Sequence, residues 1–257
     1  MLAFPPGCDC GGSLNGTDGG SSDGGGRDGA SADGGGRDGA ASDGAATDGG
    51  MTGCGQLLAI VRDFKADHPD FEAELGTDHG IVEATLGSDG KPVYAGGAGT
   101  ATTHGAANFD EWYRDTAGVN MRFEIPLPLT EGPAGVFTFD NGAFFPLDGM
   151  GWPGEETGGH NFHFTTEIHG TFTYRGGENF TFRGDDDVFV FVNDHLALDL
   201  GGVHGAQTGT IDFDAEAATL GISAGGTYKL DVFHAERHTT ESNFRIETSI
   251  DCLAGPI

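Results

Sequence analysis

Positive charge is what this sequence has least of. Twelve Lys and Arg stand against 40 Asp and Glu in 257 residues, a formal net charge of −28. A field of that sign repels phosphate backbones and anionic lipid while attracting cations, so nucleic acid is not expected as a partner. Long apolar runs are missing as well: nothing approaches the roughly 20 residues of a membrane-spanning helix. Long helical patterns are also scarce. The convincing candidates, His68–Leu75 and Phe109–Asp115, allow about two turns each, too little for the helical layer of an α/β fold. Hydrolase signatures are lacking too. There is no Gly-x-Ser-x-Gly elbow and no His-Glu-x-x-His helix, and pairs of carboxylates carry no information in so acidic a chain. The expectation is a protein that is not an enzyme.

The chain nonetheless holds 37% apolar residues and 19 Phe, enough for a core, so the acidity belongs to a folded protein. The first 53 residues are a different material. "SSDGGGRDGA", "SADGGGRDGA" and "ASDGAATDGG" repeat every ten residues from Ser21, Ser31 and Ala41, with no aliphatic side chain larger than Ala. Such a stretch buries too little to offset the entropy of ordering it, and it reads as a flexible, disordered tether. The rival reading, a calcium-binding Gly/Asp repeat, requires an apolar residue in each repeat, and that residue is missing. The tether carries eight Asp and two Arg. The remaining 204 residues therefore hold a net −22.

Cysteine is sparse, four in all. Cys54 opens the folded part and Cys252 closes it, which reads most simply as a disulfide joining the domain's ends in an oxidising compartment; two buried free thiols are the alternative. In the chain-entropy model so long a loop is worth about 4–5 kcal/mol. Cys8, with Cys10 close by, follows "FPPG" and precedes the tether, as a lipid-acceptor cysteine would. The apolar segment of a signal peptide is absent. An anchor at Cys8 therefore needs a start further upstream or another export route, and it is the sole membrane association expected.

From Gln56 onward short β segments alternate with turns. "FHFTTEIHGTFTY" (162–174), "NFTFR" (179–183), "VFVFV" (188–192), "HLALDL" (195–200), "YKLDVFHAE" (228–236) and "NFRIETSI" (243–250) have the pattern of antiparallel strands. Asn193-Asp194 reads as a two-residue hairpin loop, and Arg175–Glu178 as the turn joining the first two segments. The predicted architecture is one all-β domain over 54–252, an antiparallel β-sandwich or barrel with a few short helices. A tail of residues 253–257 follows it.

Within this pattern Asp185, Asp186 and Asp187 stand side by side before the apolar run Val188–Val192. Regular strand geometry sends successive side chains to opposite faces, so a loop or an unusual peptide bond is needed to aim two of them at one ion. A hard divalent cation relieves their repulsion, and Ca²⁺ takes six to eight oxygen ligands. An acidic, solvated turn is the plainer alternative.

"VRDFKADHPDFE" (61–72), "FFPLDGMG" (144–151), "HNFHFT" (160–165), "FRGDDDVFVFVNDHLALDLGGVH" (182–204) and "AERHTTESNFRIET" (235–248) together resemble the fibro-slime family of extracellular proteins. That family is similar in turn to the lectin-like β-sandwich/barrel domain of the anthrax protective antigen, also found in flocculins and adhesins. The resemblance implies a Ca²⁺ site in which two consecutive Asp, often joined by a cis peptide, act with an Asn from a later loop to hold sugar hydroxyls. In this sequence those residues are Asp185, Asp186 and Asn243. Asp187 departs from the small residue usual there, and it either adds a ligand or caps the loop. In the loop "RHTTESN", Arg237, His238 and Glu241 can contact a ligand from the rim; alternatively Glu236 and Arg237 pair internally.

Zinc at the pairs His160/His163, His234/His238 or His195/His204 is disfavoured by spacing and by the lack of nearby cysteine. Two classes remain. One is a secreted or cell-surface, Ca²⁺-dependent carbohydrate-binding module or adhesin whose partner is a glycan or polysaccharide. The other is a structural or signalling matrix protein with a purely structural calcium site. An exposed aromatic beside Asp185 and Asp186 favours the first, because sugar rings stack on aromatic faces.

Overall fold

The structure, a computed structural model, describes residues 54–255; the expected tether, with Cys8 and Cys10, lies outside the described residues. In chain order the strands are β1 Gln56–Asp63, β2 Gly76–Thr77, β3 Met121–Pro128, β4 Thr130–Glu131, β5 Phe137–Asn141, β6 Phe164–Thr173 and β7 Asn179–Gly184. They continue with β8 Asp187–Val192, β9 His195–Leu200, β10 Gly202–Val203, β11 Gln207–Asp212, β12 Thr227–Glu236 and β13 Phe244–Thr248. A six-stranded sheet, β3-β1-β6-β12-β8-β9, lies against a five-stranded sheet, β11-β7-β13-β5-β4. The pairings within both are antiparallel. The all-β, antiparallel expectation holds.

The apolar run of β8 shows how the layers are built. Alternation sends Val188, Val190 and Val192 into the core between the sheets, with Ile168, Phe180, Phe182, Val232, Phe244 and Ile246. Phe189 and Phe191 go to the other face, where Ile81, Val82, Phe109, Trp112 and Tyr113 cover them. Buried on both faces, the strand needs no polar alternation. The covering segment makes a third layer that the strand patterns alone did not reveal.

Asn193 and Asp194 take φ of 51° and 64°, joining β8 to β9 with Val192 opposite His195, the left-handed pair a two-residue hairpin requires. The turn at Arg175–Glu178 does join β6 to β7, but the two strands belong to different sheets.

The two expected helices are corrected. Residues 68–72 form a turn and bends and 73–75 run on as irregular chain, because Glu72 adopts φ 53° and its N–H donates to the Arg237 carbonyl at 2.8 Å rather than to a helical partner. Near 109–115 the one-turn helix α1 spans Ala106–Phe109 and stops. The carbonyls of Glu111 and Trp112 accept from Asn120 Nδ2 at 2.9 Å and Thr165 Oγ1 at 2.5 Å, side chains taking the place of helical N–H groups. A helix not anticipated, α2 at Phe213–Leu220, has Asp212 as its N-cap and Gly221 at φ 65° as its stop, both readable signals.

Cys54 and Cys252 are joined by a disulfide across a separation of 198 residues. The packed domain runs beyond the expected boundary at 252. Leu253 is 3% exposed, and Ala254 exchanges two backbone hydrogen bonds of 2.8 Å with Thr171, so the expected tail begins later than residue 253.

Candidate metal and ligand site

Where β7 ends and β8 begins, Gly184 lies so close to the neighbouring chain that a Cβ there would sit 2.6 Å from the Asn243 carbonyl oxygen. Space, rather than an unusual φ, requires the glycine. The Asp185–Asp186 peptide is cis, and both residues line one cleft of about 120 Å³ together with Leu75, His204, His238 and Glu241.

Asp185 is 2% exposed and Asp186 4%. Asp185 accepts from the backbone N–H of Asn243 and, at 2.8 Å, from Asn243 Nδ2. Asp186 accepts from the backbone N–H groups of His204 at 3.0 Å and Arg237 at 2.9 Å. Burial pushes the Asp185 carboxyl up. Burial, reinforced by the neighbouring Asp187, pushes Asp186 up to about 7. Below the pair His234 is fully buried and held neutral, its basicity lowered by burial to about 4. Its Nε2–H donates to the Asp185 carbonyl at 2.7 Å, so this histidine positions the pair instead of binding an ion.

The third aspartate is different. Asp187 is fully buried, and its two oxygens accept from Arg237 Nε and from the Gly202 N–H, each at 2.6 Å. It neither lines the cleft nor has a free oxygen to offer, so it caps and locks the start of β8. Arg237 is likewise corrected. It is 0% exposed, lies 4.6 Å over the Trp112 ring, and donates to the carbonyls of Asp70 at 2.9 Å and Thr102 at 2.7 Å. Instead of a rim contact it is the bolt between β8 and the covering layer. Its charge partner is Asp187, not Glu236.

His238 and Glu241 do line the cleft. Glu72 steadies their loop by accepting from the Thr239 N–H at 3.2 Å. On the far side of Thr240 and Glu241 a more open hollow of about 400 Å³ continues to Asn243, Phe145, His160 and Phe162. Phe145 and His160 stack there at 4.1 Å between ring centroids, and His160 is exposed. His160 pairs with Asp148 at 2.7 Å, whereas His163, 1% exposed, bonds Glu72 at 2.8 Å. The two histidines thus serve separate partners.

Glu236, expected at most to pair with Arg237, neither does so nor lines the cleft. It is 1% exposed, and its oxygens make no hydrogen bond of good geometry, with only the Ser242 hydroxyl and the His238 backbone near enough to ease its charge. Burial, with the charges of Asp186 and Asp185, pushes its carboxyl well up. Its place at the end of β12, five residues before the paired Asp pocket's Glu241, carries no signal of this in sequence.

Among the described residues no three His, Cys, Asp or Glu side chains form a ready metal cluster. The cleft's wall carries the carboxylates of Asp185, Asp186 and Glu241 with His204 and His238, the Asn243 amide that bonds Asp185 lines the adjoining hollow, and Glu236 lies buried close by. The cleft's carboxylates suit a hard cation completed by carbonyls and water.

Comparison with known proteins places this geometry in context. Residues 149–255, which contain the Asp pair and Asn243, match the family model of the PA14 domain. Protein psiD of Dictyostelium discoideum is 39% identical over 211 residues, covering 76% of this chain and 41% of the relative. Protein psiQ of the same organism is 40% identical over 190 residues, covering 68% of this chain and 19% of the relative. The chain thus spans less than half the length of these curated relatives. Among solved structures, the Epithelial Adhesin 9 A domain from Candida glabrata, in complex with Galb1-4GlcNAc, aligns with a TM-score of 0.34 at 11% identity, covering 79% of this chain and 86% of that one. A PA14 sugar-binding domain from an RTX adhesin aligns with a TM-score of 0.32 at 14% identity, covering 74% and 89%.

Proposed function

We propose that residues 54–255 form a Ca²⁺-dependent carbohydrate-binding module of the fibro-slime type, acting outside the cell as an adhesin and not as an enzyme. The observation that carries this reading is the opposite treatment of adjacent acids. Asp187 has a buried guanidinium, while the carboxylates of Asp185 and Asp186 meet only N–H groups and the Asn243 amide at the wall of a cleft. Asp185, Asp186 and Asn243 are the residues that would hold Ca²⁺, with the Asn243 amide turned so that its oxygen faces the ion in place of its nitrogen. Bound there, the ion supplies a positive centre for vicinal sugar hydroxyls. Glu241 and His238 stand where a glycan's other hydroxyls would meet acceptors and donors. The Phe145/His160 stack offers a flat face to the next sugar.

A glycan array probed with the full chain, in calcium and then in EDTA, tests this. Binding to a defined set of glycans in calcium alone, lost in Asp186→Ala, is expected. Calcium binding with no glycan captured would favour the matrix-protein reading.

A further inference from the structure

The cleft at the Asp pair has two unlike sides. On one, Thr240 and Glu241 are polar and exposed, with His238 beside them. The other is built by the short ladder of β2 and β10. Val203 lies opposite Gly76 there, and the Asp78 N–H donates to the Gly201 carbonyl at 2.7 Å. The residues just beyond this ladder, Leu75 and His204, therefore meet at the cleft.

Neither brings a free polar group to a ligand. The His204 N–H is taken by Asp186 at 3.0 Å. Its ring nitrogens Nε2 and Nδ1 lie 3.1 Å from the Leu200 carbonyl oxygen and 3.0 Å from that of Gly205, so the ring is committed to its own chain. Leu75 is 71% exposed, against 41% for Met150 and 38% for Val93, the other exposed large apolar side chains among the described residues. A lone leucine in water is ordinary on a protein surface. What sets this one apart is its place, as the aliphatic side chain on a wall otherwise made of Asp, Glu, His and Thr side chains.

Water against Leu75 is released only by a ligand that sets an apolar group there. In the calcium reading, on which this inference rests, two neighbouring hydroxyls of a sugar ring are fixed at Asp185 and Asp186. A hydroxymethyl group brought against Leu75 gives up hydration and gains no partner. An acetamido group meets the same penalty twice, through its N–H and its carbonyl. A methyl group has no hydrogen bond to lose and buries its own surface as well.

We infer that the cleft selects 6-deoxyhexoses, with Leu75 packing on the C6 methyl group while the polar side faces the remaining hydroxyls. Leu75 is then a specificity residue, which holds neither the ion nor a hydroxyl.

The test compares affinities of the full chain, in calcium, for three pairs of sugars that differ only at C6: D-fucose with D-galactose, D-quinovose with D-glucose, and L-rhamnose with L-mannose. In at least one pair the deoxy sugar is expected to bind about fourfold more tightly, the gain from burying one methyl group. Leu75→Ser, at an exposed position, should erase that preference while calcium binding stays as in the wild type. A nuclear Overhauser contact between the sugar's methyl protons and the Leu75 methyls is expected as well, and it needs no variant. Calcium-dependent binding with no preference in any pair overturns this inference and leaves the calcium reading standing. So does a preference that survives Leu75→Ser or comes without the Overhauser contact. Failure of all six sugars to bind in calcium overturns both.

Discussion

The two ends of the six-stranded sheet treat buried carboxylates in opposite ways. At one end Glu167 sits among Arg62, Lys91 and His169. Despite its burial these cations hold its carboxyl down to about 2. At the cleft end Asp185, Asp186 and Glu236 are buried too, and there burial pushes their carboxyls up, with Arg237, paired to Asp187, offsetting it only in part at Asp186. Burial is common to both ends, so it does not decide the outcome. The difference lies in how many counter-charges the chain brings to each end: three cations around Glu167, against one guanidinium at the Asp186–Asp187 corner.

Removing the one built-in counter-charge at the cleft end should have the largest effect. Arg237→Ala strips Asp187 of its partner and leaves the carbonyls of Asp70 and Thr102 without their donor. A loss of about 5 kcal/mol is expected in urea unfolding, the upper end for breaking a buried ion pair from one side. Replacing both partners together, Arg237→Met with Asp187→Leu, should recover much of it. Equal losses in the single and double variants would show that packing, not charge, bolts the layers.

The two ends should also answer pH separately. The Asp186 carboxyl is raised in the fold from 3.8 to about 7. The empty protein therefore binds an extra proton relative to the unfolded chain, and its stability should fall as pH rises from about 4 to about 7, by about 4 kcal/mol. Calcium should flatten that slope. Hydrogen bonds to Asp231 and Glu167 outweigh burial and raise His169 from 6.5 to about 9; its contribution is full below pH 6.5 and should fade by about 3 kcal/mol as pH climbs to 9. Denaturation curves across this range separate the two, since His169→Gln should remove only the alkaline limb.

Calcium itself should raise the melting temperature. A thousandfold excess over the dissociation constant adds about 4 kcal/mol by mass action, and for a domain of this size each kcal/mol moves the midpoint about 2–4 °C. At lower saturation the shift shrinks accordingly. Magnesium should do less, because it demands a tighter octahedron and gives up its water reluctantly.

Much of this was legible in the sequence, for reasons that differ by residue. The strand pattern of 162–250 foretold six of the strands because alternation and turn residues are local signals. Asp185, Asp186 and Asn243 were singled out by resemblance, and the structure sets them side by side. Arg237 was misplaced because its burial depends on Asp70, Thr102 and Trp112, more than a hundred residues away in the chain. The helix at 68–75 failed for the same reason, its backbone being captured by Arg237. Asp231 and His169 read as ordinary strand residues. Only the covering layer buries their face of the sheet.

The central claim is that Asp185 and Asp186 await a cation while Asp187 does not. Isothermal calorimetry of Ca²⁺ added to the EDTA-stripped protein tests it most directly, with Asp186→Ala as the comparison. The account predicts a saturable heat for one ion in the wild type and none in Asp186→Ala. Equal heats in the two proteins, or none in either, would contradict it.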